Sequence, residues 1–127
     1  MIAADTSTWV AFLGGDAGRD VELLGRALKD QQVVMVPVVL TELLSDPKIS
    51  PIAAKTLIDL QLPEPSSGYW QRAGLLRAKV LAVGRRARLG DALIAQWCID
   101  QDTSLLTRNR DFKAFSVAGG LKLLISA

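Results

Sequence analysis

Histidine is absent from the chain, and cysteine occurs once, as Cys98. Without an imidazole, the protein cannot build a Ser-His-Asp or Cys-His nucleophile, nor use histidine as the base for RNA cleavage through the 2′-OH. One thiol without histidine also argues against an ordinary zinc site. Any metal would therefore be bound by oxygen, which favours Mg²⁺ or Mn²⁺.

Long apolar runs are missing as well. The longest, VVMVPVVL, is interrupted by Pro37 and is too short to span a bilayer. The N-terminal MIAADTSTW has no basic region before an apolar segment, so we expect no signal peptide, and a lone cysteine is consistent with a reducing cytoplasm. We therefore expect a cytoplasmic protein with no membrane partner, folded as a single domain over residues 1–127.

Short apolar segments alternate with helix-like segments along the chain. We predict strands at 2–4, 33–36, 104–107 and 121–125. We predict helices at 6–13, 17–30, 38–45, 51–61, 67–83 and 91–99. This alternation implies parallel crossovers, and hence an α/β fold: a three-layer α/β/α sandwich with a mainly parallel central sheet.

Four carboxylates follow predicted strands or lie at predicted helices: Asp5, Glu42, Asp91 and Asp111. Each has an ordinary explanation by itself, as a helix N-cap, a turn residue or part of a solvated helix face. Together, however, they are expected on the rim where the carboxyl ends of parallel strands meet. Carboxylates gathered there repel one another and raise one another's pKa, and a divalent cation would neutralise them.

The same residues, in this order, resemble a PIN domain, and more narrowly the VapC toxins of bacterial and archaeal toxin–antitoxin pairs. The resemblance spans nearly the whole chain, and its most specific parts are DALIA and LLTRNRDF. It is carried by Asp5 and Ser7 in MIAADTSTWVAFL, Glu42 in VVLTELLSDP, Asp91 in RLGDALIAQWC, and Thr107, Asn109 and Asp111 in LLTRNRDF. It implies a Mg²⁺- or Mn²⁺-dependent endoribonuclease, usually a homodimer, that a small VapB-like antitoxin holds inactive.

The resemblance also assigns roles. It makes catalytic residues of Asp5, Glu42, Asp91 and Asp111, with polar support from Ser7, Thr107 and Asn109. We expect Asp5, Asp91 and Asp111 to hold the metal directly or through water. Glu42 then orients or deprotonates the attacking water. Some relatives carry an acid where Asn109 stands, so whether one or two metals bind is left open.

Basic residues are concentrated before Asp91. From Ser66 to Gly90 there are six basic residues and no acid. A solvated helix face explains those that precede Gly84, whereas nearness to the proposed metal site favours phosphate contact for those in the following loop. The predicted RNA contacts are Arg85, Arg86, Arg88, Arg108 and Arg110.

Two other functions fit parts of the sequence. LIDLQLPEPSSG resembles the phosphoacceptor segment of response-regulator receiver domains, which would make Asp59 a phosphorylation site. That alternative needs a strand before Asp59, where SPIAAKTLI has a helical pattern. A catalytically inactive PIN-like binding module is the other alternative, and the presence of all four acids argues against it.

Overall fold

The computed structural model describes residues 1–125. At its centre is a parallel sheet with the strand order β1-β2-β3, formed by β1 (Ile2–Ala4), β2 (Ser104–Thr107) and β3 (Leu123–Ile125). The middle strand is apolar and fully buried at Leu105 and Leu106. The register pairs Ala4 with Leu106, which brings the ends of β1 and β2 to the same edge of the sheet.

Seven α-helices cover this sheet within residues 1–125: α1 (Thr6–Leu13), α2 (Arg19–Lys29), α3 (Pro37–Leu44), α4 (Pro51–Ile58), α5 (Tyr69–Ala82), α6 (Leu89–Asp100) and α7 (Lys113–Gly119). Helices α1, α2 and α6 all contact the central strand β2, while α5, α6 and α7 pack on one another. The predicted α/β class with a parallel sheet is therefore confirmed. No helix in this part of the chain is both long and apolar enough to cross a bilayer.

Local sequence explains where several elements begin and end. The side chain of Asp5 caps α1 by accepting a hydrogen bond from the backbone N–H of Thr8, at 3.1 Å. The residues of α5 that face inward, such as Ala73, Leu76 and Val80, have the predicted helical spacing. Gly84 follows that helix with a φ of +76°, a backbone conformation that glycine adopts without steric cost.

The prediction of a strand at 33–36 is wrong. The segment is buried, as its continuous apolarity suggested, but only Val33 and Val34 make isolated bridges, to Ile2 and Gln61 respectively. Pro37 explains why pairing stops, because it is the first residue of α3 and has no N–H to donate.

Candidate active site

Asp5 lies just beyond the end of β1 and is held from three directions. Ser7 Oγ donates to its Oδ1 at 2.7 Å, as does the N–H of Thr8 at 3.1 Å, and Thr107 Oγ1 donates to its Oδ2 at 2.7 Å. Burial raises the pKa of Asp5, these hydrogen bonds act in the opposite direction, and the charge of Glu42 raises it further. The predicted support from Ser7 and Thr107 is thus present as direct contacts.

The segment after β2 links Asp5 to Asp111. Thr107 Oγ1, which donates to Asp5, also accepts a hydrogen bond from the N–H of Asn109 at 2.9 Å. Asn109 Oδ1 in turn accepts from the N–H of Asp111 at 2.9 Å and caps the short 3₁₀ helix Arg110–Phe112. Asn109 therefore acts on the position of Asp111 through the backbone.

Glu42 reaches the site from α3. Its side chain is exposed, as expected of a residue off the apolar stripe, and its Oε1 accepts a hydrogen bond from Thr6 Oγ1 at 2.8 Å. Thr6 directly follows Asp5, so this contact brings α3 to the beginning of α1. The negative charge of Glu42 raises the pKa of both Asp5 and Asp91.

Asp91 is the carboxyl whose pKa is affected by all three of the other acids. Burial raises its pKa to about 6, and the charges of Asp5, Glu42 and Asp111 contribute in the same direction, while Arg88 partly offsets them. Its Oδ2 is buried and has no hydrogen-bond partner within residues 1–125. A buried carboxylate oxygen with no hydrogen-bond partner, whose ionisation is opposed by the charges of three other acids, is unfavourable for the protein alone, and a cation would relieve it.

The start of α6 tests the alternative explanation for Asp91, that it serves only as a helix N-cap. Helix α6 begins at Leu89, two residues earlier than predicted, with Arg88 as its N-cap residue. Asp91 is the third residue of the helix, and no side chain among residues 1–125 caps its N-terminus. Capping therefore does not account for Asp91.

Comparison with known proteins identifies the family. A family model described as the PIN domain matches residues 2–118. The chain belongs to the PIN-domain family. PIN domains are nucleases, which supports a hydrolase that acts on nucleic acid.

Solved structures with the same fold come from toxin–antitoxin complexes. VapBC2 from Rickettsia felis, bound to a DNA fragment from its promoter, matches with a TM-score of 0.74 and 22% identity over 98% of both chains. VapBC-1 from nontypeable Haemophilus influenzae matches with a TM-score of 0.74 and 14% identity over 98% of both chains. VapBC-5 from Mycobacterium tuberculosis matches with a TM-score of 0.67 and 20% identity, over 98% of this chain and 95% of that one. No curated protein sequence matches.

Arg108 of this PIN domain, predicted as an RNA contact, forms an ion pair inside the protein. Its Nε donates to Asp20 Oδ2 at 2.7 Å, and its Nη2 donates to Asp20 Oδ1 at 3.1 Å and to the carbonyl of Ala17 at 2.6 Å. The side chain of Asp20 is completely buried and also accepts from Thr8 Oγ1 at 2.9 Å. Arg108 therefore joins the segment after β2 to α1 and α2, and we leave it out of the proposed RNA contacts.

The remaining predicted arginines face solvent. Arg85, Arg86, Arg88 and Arg110 are all exposed, and none forms an ion pair with an acid within residues 1–125. Arg88 is placed closely enough to Asp91 to lower its pKa. The backbone of this loop is anchored at Ala87, which is buried and whose carbonyl accepts from Arg77 Nε at 2.8 Å.

Asp20 is the site-supporting residue that sequence reasoning missed. It precedes the buried Leu24 by four residues in α2, so helical spacing would have placed it on the inner face. An acid on an inner face requires a partner, and Arg108, 88 residues away, supplies it. The local sequence pattern therefore indicates that Asp20 points inward, but it does not identify Arg108 as its partner.

The receiver-domain alternative is excluded by family and by structure. Asp59 follows helix α4 rather than a strand, as its C-cap residue. Its carboxylate is exposed and pairs with Lys55 on the same helix at 3.0 Å. Nothing about this position resembles a phosphoacceptor at the end of a parallel strand.

Proposed function

We propose that this PIN domain is a Mg²⁺- or Mn²⁺-dependent endoribonuclease and the toxin of a type II toxin–antitoxin pair. The observation that carries the proposal is the buried Oδ2 of Asp91, which has no hydrogen-bond partner within the described residues, while the charges of Asp5, Glu42 and Asp111 all raise the pKa of this carboxyl. The donors are all oxygens, which suit hard divalent cations.

The chemistry of the oxygen donors suits such an ion, although their spacing leaves part of its coordination to water. Asp5, Asp91 and Asp111 would hold it, directly or through water. Within residues 1–125, no group of three or more acidic or cysteine side chains is gathered tightly enough to enclose a metal by itself. Water would therefore complete the coordination, as is common for Mg²⁺. When bound, the ion would stabilise the negative charge that develops on the phosphate oxygens during cleavage.

The protein's own groups have separate tasks in this mechanism. Ser7 and Thr107 fix both oxygens of Asp5, so the orientation of that carboxylate is set before any ligand arrives. Asn109 fixes the backbone of Asp111. Glu42, exposed and held by Thr6, is the carboxylate proposed to orient the attacking water or accept its proton. Arg88 lies beside the acids and is proposed to contact the phosphate.

Purified protein supplied with Mg²⁺ or Mn²⁺ should cleave structured RNA and leave 5′-phosphate ends, and EDTA should stop the reaction. Denaturing gels, with end-group analysis of the products, measure both. Asp91→Asn provides the matched inactive variant, because it keeps the shape of the side chain and removes its charge. Undiminished cleavage in EDTA, or by Asp91→Asn, would contradict the mechanism. Tight binding of RNA without cleavage in any metal would favour the inactive binding module.

A small antitoxin is the first proposed protein partner. A groove of about 430 Å³ between α1 and the segment of α3 and α4 is lined by Val10 and Leu13, which are 57% and 41% exposed. Its charged residues are the acids Glu42 and Asp46 and one base, Lys48. An apolar segment carrying a cationic side chain would complement this surface and reach Glu42 in the active site.

Co-expression with the small protein encoded next to this gene should give a stable complex on gel filtration, and the complex should be inactive on RNA. Val10→Asp would place a charge in the middle of the groove and should weaken the complex strongly. The same substitution at Val117, which is 90% exposed on α7 outside this groove, is the matched control. Equal binding by Val10→Asp and Val117→Asp would place the partner elsewhere.

A second copy of the chain is the other proposed partner. Helix α5 exposes Trp70 and Leu75, at 64% and 65%, beside the small residues Gly74 and Ala78. Aromatic residues are enriched in protein interfaces, and small neighbours permit close approach of a second helix. We propose that this face of α5 forms the interface of a homodimer. We also propose that the protein degrades RNA in the cytoplasm.

A further inference from the structure

A second, larger groove lies next to the acidic site. It has a volume of about 980 Å³ and runs between the C-terminal end of α5, the loop that follows it, and α7. Clefts for small ligands have volumes of roughly 300–1,000 Å³, so this groove is at the upper end and has room for a length of chain. The charged residues that line it are Lys79, Arg85, Arg86, Arg110, Lys113 and one acid, Asp111.

The charge of this groove is strongly one-sided. All five cations are exposed, and none forms an ion pair with an acid within residues 1–125. By contrast, Arg72 and Arg108, which lie outside the groove, form ion pairs with Asp100 and Asp20 of the same chain. The five cations of the groove are therefore available to an anionic ligand.

The groove is continuous with the proposed active site through Asp111. This residue lines the groove, and its charge also raises the pKa of Asp91. An RNA strand that is cleaved at the proposed acidic site must also contact the protein surface on either side of the cleavage point. The groove provides a cationic surface that starts at one of those acids.

Two exposed apolar side chains line the groove and distinguish between kinds of nucleic acid. They are Val83 and Val117, which are 72% and 90% exposed. A duplex presents phosphates on its outside and hides its base faces by stacking, so it gains little from exposed apolar side chains. An unpaired strand can turn its phosphates to the cations and its base faces to the valines.

We propose that this groove binds an unpaired RNA segment that flanks the cleavage point, with Lys79 and Lys113 as phosphate contacts and Val83 and Val117 as base contacts. The inference rests on the proposed nuclease function and adds to it the path of the substrate on this chain and the side chains that contact it. An acidic peptide is the competing occupant, but it would have no use for exposed valines between the cations.

Binding in EDTA separates this inference from catalysis. A fluorescent oligouridylate of about twelve nucleotides, within the site size of single-strand binding domains, is titrated with protein at several salt concentrations. Lys79→Gln/Lys113→Gln should weaken binding and reduce the slope of log K against log salt by about 1.4, since each phosphate contact to a single strand contributes about 0.7. Arg26→Gln/Lys29→Gln removes the same charge from exposed positions on α2, outside the groove, and should leave the slope unchanged.

A second variant tests the base contacts. Val83→Ser/Val117→Ser should lower the preference for the unpaired strand over a duplex of equal length severalfold, without changing the salt slope. Both valines are exposed, so the melting temperature should stay close to that of the wild type. An unchanged preference would remove the valines from the proposal, and an unchanged slope in the lysine variant would overturn it.

The remaining outcomes separate the two proposals. Wild type that cleaves RNA in Mg²⁺ while the lysine variant binds normally would leave the nuclease function standing and overturn the groove. If the wild type cleaves no RNA but binds the oligouridylate with the expected salt dependence, the groove would be supported and the nuclease function overturned. Displacement of the oligouridylate by polyglutamate at equal charge concentration would assign the groove to an acidic peptide.

Discussion

Asp91→Asn should make the protein more stable in EDTA at neutral pH. Raising the pKa of a carboxyl from 3.8 to about 6 corresponds to about 3 kcal/mol of destabilisation once the group is ionised. Partial exposure of Asp91 reduces the expectation to about 1–2 kcal/mol. Asparagine also loses the favourable interaction of a first-turn charge with the N-terminus of α6, about 0.5 kcal/mol, so the net effect remains a gain of about 1 kcal/mol.

The sign of this effect depends on pH. Between pH 3.8 and about 6, the folded wild type binds more protons at Asp91 than the unfolded chain does. Its stability therefore falls as pH rises through this window, and the loss is complete above it. Asparagine does not titrate, so the advantage of the variant should be largest at pH 7 and vanish near pH 4.

Urea unfolding at pH 4 and pH 7 in EDTA measures both quantities. Glu22→Gln is the matched control, since Glu22 is an exposed acid in the first turn of α2. Its neutralisation should cost a few tenths of a kcal/mol at pH 7. If Asp91→Asn were also slightly destabilising at pH 7, Asp91 would not belong to a repelling cluster.

Arg108→Ala should cost the fold about 2–4 kcal/mol. Removing one partner of a buried ion pair typically costs about 3–5 kcal/mol, because the remaining charge stays buried without compensation. Here Asp20 is fully buried while Arg108 is 32% exposed, which lowers the expected loss somewhat. Burial alone would raise the pKa of Asp20, but the hydrogen bonds from Arg108 and Thr8 outweigh it and hold the pKa below 3.8.

Urea unfolding at pH 7 of Arg108→Ala, Asp20→Asn and the double variant gives the test. The double variant should lose clearly less than the sum of the two single losses, since it removes both charges together. Arg85→Ala, at an exposed and unpaired arginine, should change stability by less than about 0.5 kcal/mol. A loss at Arg108 as small as that at Arg85 would return Arg108 to the RNA-binding surface.

The neighbours of Asp5 could be predicted in part, because their positions depend on chain order. Asp5 and Asp111 follow strands, and in a parallel sheet the carboxyl ends of strands share one edge. Ala4 pairs with Leu106, so Asp5 lies beside Thr107 and the two side chains form a hydrogen bond. The positions of these residues relative to the strand ends were enough to predict this proximity, because in a parallel sheet the fold class determines that the strands end at one edge.

Other features depend on contacts that local sequence does not contain. The segment 33–36 has the composition of a buried strand, but strand pairing also needs neighbouring backbone in register, and only Val33 and Val34 find it. The predicted start of α6 at residue 91 is two residues late, because the helix begins at Leu89 and includes Gly90 in its first turn. The partner of Arg108 lies 88 residues away in sequence, and its identity becomes evident only in the folded chain.

The central claim is that the four acids form a cation site of which Asp91 is part. Thermal melts of wild type and Asp91→Asn, each in EDTA and in Mn²⁺, test it most directly. At a hundredfold excess over Kd, bound Mn²⁺ should stabilise the wild type by about 2.7 kcal/mol. We expect a clear rise of the wild-type melting temperature with Mn²⁺ and a distinctly smaller rise for Asp91→Asn. Equal rises in the two proteins would contradict it.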